Sequence, residues 1–245
     1  MDLGLKGKRA LVLGASWGLG FAVASELVKE GARVAICSSN EERIRAAAAN
    51  MGAALGVAAD LSKPGGTQGV INKVKEVFGG LDILVHNTGG PPPGNFSDLS
   101  DAQWQEGFQG LWMGAVEGLR TAIPIMKEQR WGRIILITSV SSREAINGML
   151  VSSSIRSGLL GLTKAVSNEV GEYGITVNAV LPGFHATEKL REFKLDEEKL
   201  AQSIPVRRLG RPEELGALVT FLASEQAAYI TGQSVAIDGG WMRGF

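Results

Sequence analysis

Ala10-Leu11-Val12-Leu13-Gly14-Ala15-Ser16-Trp17-Gly18-Leu19-Gly20 is the stretch on which the fold turns. Its four apolar residues read as a short buried strand, the glycines after them as a tight turn, and the segment that follows, up to Glu30, as a helix. That order sets a helix N-terminus, with its free N–H groups and positive dipole end, at the carboxyl end of a strand. Glycine in the turn lets the backbone come close to a pyrophosphate. A glycine pattern alone is weak evidence, but at the first strand-to-helix junction it points to a dinucleotide.

Outward from this turn, short β-type runs at 10–13, 34–37, 54–58, 83–86, 133–138, 176–181 and 234–237 alternate with segments of helical spacing. No linker or internal repeat interrupts them. The alternation predicts one α/β domain over 1–245, a Rossmann-like doubly wound parallel sheet of about seven strands with helices on both faces. Two of the helices are long and amphipathic. One carries Trp104, Phe108, Leu111, Ala115, Leu119, Ala122 and Met126; the other carries Ile155, Leu159, Leu162, Val166 and Val170.

Composition narrows the function by exclusion. Among 245 residues, 25 Lys and Arg balance 25 Asp and Glu, so nothing draws the chain to nucleic acid or an anionic membrane. No apolar run approaches the ~18 residues of a membrane span, and the first strand begins too early for a signal peptide. A soluble cytoplasmic protein is the expectation. Cys37, the one cysteine, closes an apolar run and reads as a buried thiol. Two histidines and one cysteine do not make a structural zinc site, so no metal is expected.

The glycine spacing is G-x-x-x-G-x-G, and in that form and place it resembles the short-chain dehydrogenase/reductase family. The likeness continues along nearly the whole chain: Asp60 after the third strand, Asn87-Thr-Gly89 after the fourth, Gly132-Arg-Ile-Ile-Leu-Ile-Thr-Ser139 at the fifth, Asn178-Ala-Val-Leu-Pro182-Gly183 with Thr187, then Gly210-Arg-Pro-Glu-Glu, Tyr229-Ile-Thr-Gly232 and Asp238-Gly-Gly240. It is nearest to the branch of β-ketoacyl-carrier-protein reductases. The resemblance implies a nicotinamide cofactor. Gly14, Ser16, Trp17, Gly18, Leu19 and Gly20 would hold its pyrophosphate, Asp60 and Leu61 its adenine, Asn87 and Gly89 would support it, and Pro182, Gly183 and Thr187 would close over the nicotinamide. It also implies a homotetramer built on the two long helices. The second strand ends in Cys37-Ser38-Ser39-Asn40, without the acid that grips the ribose 2′-hydroxyl of NAD(H). Ser38 and Ser39 can donate to a 2′-phosphate and Arg43 is the nearest cation, so NADP(H) is favoured over NAD(H). The basic residues that usually mark NADP(H) in this family are replaced by Trp17 and Ser39.

The family's catalytic groups are an asparagine, a serine, a tyrosine and a lysine four residues after it. Here those positions hold Leu111, Ser139, Ser152 and Arg156. Leu111 lies on an apolar stripe and reads as core. The Ser152 hydroxyl is shorter by a ring than a tyrosine and far less acidic than a phenol of pKa ~10. Arg156 can hold a ribose hydroxyl or a phosphate but stays charged and relays no proton. Other donors read blandly: Tyr173 and Tyr229 as structural, Lys164 as solvated, His185 as a mobile surface histidine, His86 as a satisfied buried one. Arg143 and Glu144 either border a substrate mouth or are solvated loop charges. The stretch Gly89-Gly-Pro-Pro-Pro-Gly94 is a stiff connector that can also wall a pocket.

These readings predict an atypical nicotinamide oxidoreductase acting on a small carbonyl or secondary alcohol, with Ser139, Ser152 and Arg156 at the reacting end. A cofactor-binding sensor or partner subunit without turnover is the alternative, and a scaffold that has lost the cofactor too is a third. The loop at 185–205 should line the substrate pocket. The tail Trp241-Met-Arg-Gly-Phe245 favours burial at a subunit interface, although folding back on its own subunit would look the same.

Overall fold

A computed structural model of the chain describes residues 2–192 and 195–244. Seven parallel strands form one sheet in the order β3-β2-β1-β4-β5-β6-β7. They are β1 (Arg9–Val12), β2 (Arg33–Ser38), β3 (Leu55–Ala58), β4 (Ile83–His86), β5 (Gly132–Ile137), β6 (Ile175–Pro182) and β7 (Ser234–Ile237). The inner strands β4, β5 and β6 are buried along their whole length, covered by helices on both sides, whereas β3 and β7 at the edges are half-buried. Alternate residues serve the two faces. Ala10, Val12, Ile83, Val85 and Val180 pack under α1 (Gly18–Lys29), α2 (Glu41–Met51) and α9 (Pro212–Leu222). Leu11, Leu13, Leu84, Ile134 and Val177 pack under α3 (Gly66–Phe78) and α5 (Gly114–Gln129). The helix α6 (Leu150–Val170) closes the second face, with Val170 in its core.

The strand order reverses at β1 and β4, the chain winding outward to β3 on one side and to β7 on the other, and a crevice opens at the carboxyl ends of the strands there. Around it run α4 (Asp101–Gly107) and α7 (Glu188–Glu192), while α8 (Glu197–Ser203) follows α7 in the chain. The expected single helix from Trp104 to Met126 is α4 and α5 joined by a π turn over Phe108–Met113. The turn holds Leu111 buried against Val151 and Ile155 of α6, in agreement with its reading as core. Trp241 packs back on its own chain, edge-on to Phe184 at 5.2 Å. This contact lies within one chain and does not bear on the expected interface; Phe245 lies outside the described residues. Among the described residues no helix is long and apolar enough to cross a membrane.

Candidate active site

The cofactor end is built by the turn after β1. Gly14 adopts φ of 59°, and its carbonyl accepts a hydrogen bond from Asn87 Nδ2 at 2.9 Å. Gly20 passes so close beneath that a Cβ there would lie 2.3 Å from the Gly14 carbonyl oxygen. Trp17 precedes α1 in an extended conformation with no side-chain cap, and the first turn carries no acid, which leaves the helix N-terminus open to an anion. Thr187 lies over the turn, its Cγ2 3.9 Å from where a Gly18 Cβ would stand.

Beside this cradle, Ser38 ends β2 and Ser39 follows it. Asn40 accepts the Arg43 N–H at 2.8 Å as the cap of α2, so its side-chain oxygen is already engaged. Arg43 is exposed at the crevice rim. Asp60 accepts both the N–H and the hydroxyl of Ser62, and those two bonds hold its carboxyl below the ordinary range.

The reacting end lies where β5 stops. Ser139 starts a short 3₁₀ turn over Val140–Ser142, and its Oγ accepts the Ser141 N–H at 3.1 Å. Ser141 and Ser152 face each other, their hydroxyls 3.4 Å apart, with Ser152 4% exposed. One helical turn on, Arg156 is 7% exposed and donates through Nη1 to the carbonyls of Ile137 and Thr138, at 3.0 and 2.8 Å. Its Nε has no partner, and burial pulls the guanidinium down to about 10. Nη1 of the guanidinium is therefore turned toward the end of β5, while the side chain still borders the cleft.

All the residues expected to hold the cofactor or to stand at the reacting end, from Gly14 to Thr187, line one cleft of about 650 Å³. Gly89, Gly90 and Pro91 form part of its wall, while Gly94 donates to the Gly148 carbonyl and ties the proline loop down. Four expectations need correction. His185 is 4% exposed, with Nδ1 3.1 Å from the Gly183 carbonyl oxygen; burial against Gly210 lowers its pKa, and it is no surface histidine. His86 is buried but unsatisfied, its Nε2 having no partner, and burial drives its pKa down to about 4. Arg143 donates to the Ser234 carbonyl and Glu144 accepts the Arg243 N–H, so both clamp the chain's C-terminal segment and neither lines the cleft. Among the described residues of the 185–205 loop, only ones up to Leu190 line it; Phe193, one of the side chains named there, lies outside the described residues. Glu106, Met149, Phe184 and Lys189 also border the cleft and were not singled out. Glu106 and Lys189 are exposed charges on helices, and nothing local separates them from solvated ones.

Comparison with known proteins fits this geometry. A family model described as enoyl-(acyl carrier protein) reductase matches residues 14–242. The 3-oxoacyl-[acyl-carrier-protein] reductase FabG of Escherichia coli is 34% identical over 241 residues, covering 97% of this chain and 98% of that protein. The chain belongs to the short-chain dehydrogenase/reductase family. Within the family, the NADPH-dependent reductase BacG of Bacillus subtilis is 31% identical, covering 96% of this chain and 98% of its own length. The crystal structure of L-sorbose reductase from Gluconobacter frateurii, complexed with NADPH and L-sorbose, superposes with a TM-score of 0.95 at 30% identity, covering both chains in full.

The cleft suits the family's dinucleotide. A Cβ at Gly20 would close the cradle, the α1 N-terminus has no side-chain cap, and polar groups border the cleft from Ser39 and Asp60 to Ser139.

Proposed function

We propose that the chain is an NADP(H)-dependent oxidoreductase acting on a small carbonyl compound or secondary alcohol, with an altered proton-transfer site. One observation carries this reading: the braced glycine turn and the hydroxyl-bearing Ser139 and Ser152 border the same cleft. When bound, the nicotinamide supplies or takes up a hydride. The turn and the α1 N-terminus would hold the pyrophosphate, Asp60 and Leu61 the adenine, and Pro182, Gly183 and Thr187 would cover the nicotinamide. Ser38, Ser39 and Arg43 would meet a 2′-phosphate. The NADPH named for the relatives supports that preference, and their activity as reductases favours turnover over a binding-only role.

At the reacting end, Ser139 Oγ already accepts the Ser141 N–H, which leaves its own proton free to donate to a substrate oxygen. Ser152 adds a second hydroxyl from α6. Arg156 keeps its charge at neutral pH, since its lowered pKa is still about 10, and so provides a fixed positive field beneath a developing oxyanion. None of these groups is an acid matched to neutral pH, so the proton comes from water entering the open cleft. Loss of a general acid costs ~10²–10⁴ in rate, which leaves room for turnover driven by orientation and electrostatics. The family's homotetramer, with the α4–α5 arm and α6 at its interfaces, belongs to the same proposal.

Calorimetric titration with NADPH and with NADH tests the cofactor half. Tighter binding of NADPH is expected, and no binding of either at millimolar concentration ends the reading. Ser139→Ala tests the other half: a fall of about 10²-fold in kcat is expected, as for the loss of an oxyanion donor. An unchanged rate would remove Ser139 from the mechanism. The substrate screen should include conjugated enones beside simple carbonyls, because the same oxyanion site serves both.

A further inference from the structure

Behind the cofactor end of the cleft lies a small polar niche that the proposed mechanism does not use. His86 enters it from the carboxyl end of β4, and its Nε2 has no hydrogen-bond partner. Thr67, in the first turn of α3, is wholly buried, and its Oγ1 also has none. Both face Gly114, where the π turn gives way to α5. A Cβ on Gly114 would lie 3.7 Å from His86 Nε2, 3.8 Å from Thr67 Oγ1 and 3.8 Å from the Leu61 carbonyl oxygen. These are its three nearest neighbours apart from its own helix backbone and adjoining residues. Polar atoms of β4, of α3 and of the loop after β3 thus approach the same face of Gly114, which has no side chain to stand between them.

We propose that this niche binds a single structural water, held by His86 Nε2, Thr67 Oγ1 and the Leu61 carbonyl. Buried polar groups in native proteins are almost always satisfied, and a polar site with two to four partners is the kind that holds water. The chemistry of the walls selects water over an ion. Burial keeps the imidazole neutral, the only charge acting on it is the Arg156 guanidinium, which repels a cation, and the Leu61 carbonyl opposes an anion. The backbone at Gly114 partly offsets the effect of burial on the imidazole, but no hydrogen bond of adequate geometry reaches Nε2.

The water ties together three pieces of the cofactor side. Leu61 follows Asp60 in the loop after β3, Thr67 opens α3, and His86 immediately precedes the Asn87 that braces Gly14. Its effect on cofactor affinity rests on the NADP(H) reading above; its existence does not.

Gly114→Ala tests the site, because the added methyl fills the niche at ordinary contact distances without forcing its walls apart. A high-resolution crystal structure of the natural protein should show a water bonded to all three atoms, and the variant should lack it. The variant's Tm should fall, although glycine to alanine inside a helix ordinarily stabilises. Its NADPH Kd should rise roughly three- to tenfold, the range of one lost hydrogen bond. Thr67→Val, which keeps the shape and removes only the hydroxyl, should also lower Tm. No water peak in the natural protein overturns the proposal whatever the melts show, and so does a rise in Tm in either variant. If the natural protein does not bind NADPH, the cofactor reading fails while density and melts still decide the water.

Discussion

Ser152 and Arg156 show how far two side chains can move the chemistry of a site without disturbing its frame. Ser152 meets Ser141 across 3.4 Å, and Arg156 is anchored on the carbonyls of Ile137 and Thr138. Ser152→Tyr with Arg156→Lys would place a phenol in the cleft and a lysine one turn behind it. On the proposed reading the double variant should gain about 10²-fold or more in NADPH-dependent carbonyl reduction, followed by cofactor absorbance. No gain would mean that the site lacks more than its proton donor. His86 sets a second residue-scale expectation. Its folded pKa of about 4 lies below the ordinary 6.5, so the unfolded chain takes up a proton that the folded chain refuses. The stability that neutral His86 confers is complete above pH 6.5 and is lost as pH falls from there to about 4, a change on the order of 3 kcal/mol. Urea denaturation across that range should show a shallower pH dependence in His86→Asn than in the natural protein. Parallel profiles would show that His86 is not the group responsible. Position in the chain marked Ser152 and Arg156 as departures from the family pattern. It carried no sign of where the guanidinium turns, because the carbonyls it binds belong to a strand some twenty residues earlier.

The elements were read from side-chain spacing, and spacing reports which face is apolar. It does so faithfully for the strands, whose alternate residues sort onto the two faces of the sheet. Spacing does not report the hydrogen-bond register of the backbone. The π turn over Phe108–Met113 slips that register inside an otherwise continuous helix while Leu111 stays on the inner face, so the sequence there looks like ordinary helix. The glycine turn is different, because its demand is steric and local. A Cβ on Gly20 would lie 2.3 Å from the Gly14 carbonyl oxygen and 2.8 Å from Asn87 Nδ2. Gly20→Ala must therefore open the turn. It should cost about 1–3 kcal/mol in denaturant unfolding and weaken NADPH binding by more than tenfold. A variant that keeps both would show that the turn is not the cofactor cradle.

Across the whole molecule, the two ends of the sheet divide the work. The carboxyl ends carry the cleft. At the opposite end Asp82 accepts from Arg9 Nε at 2.8 Å, Arg9 Nη2 at 2.7 Å, the Arg9 N–H at 2.7 Å and Gln129 Nε2 at 2.9 Å, joining β1, β4 and α5. Burial pushes the Asp82 carboxyl up, but the bonds from Arg9 outweigh it and hold the group below the ordinary carboxylate range. Its contribution is therefore present above that range and lost as pH falls through it. Asp82→Asn should lower the unfolding free energy by about 3 kcal/mol, by urea denaturation, and leave the NADPH Kd unchanged. A changed Kd would show that the two ends are coupled. The sequence by itself determined the parallel α/β sheet and the glycine turn, because those follow from local spacing and from backbone contacts that tolerate only glycine. Only the tertiary structure decided that His185 is buried, that Arg143 and Glu144 clamp the C-terminal segment, and that His86, Thr67 and Leu61 converge on Gly114. Burial and partnership belong to what packs against a residue from elsewhere in the chain, and no local pattern of residue types records that.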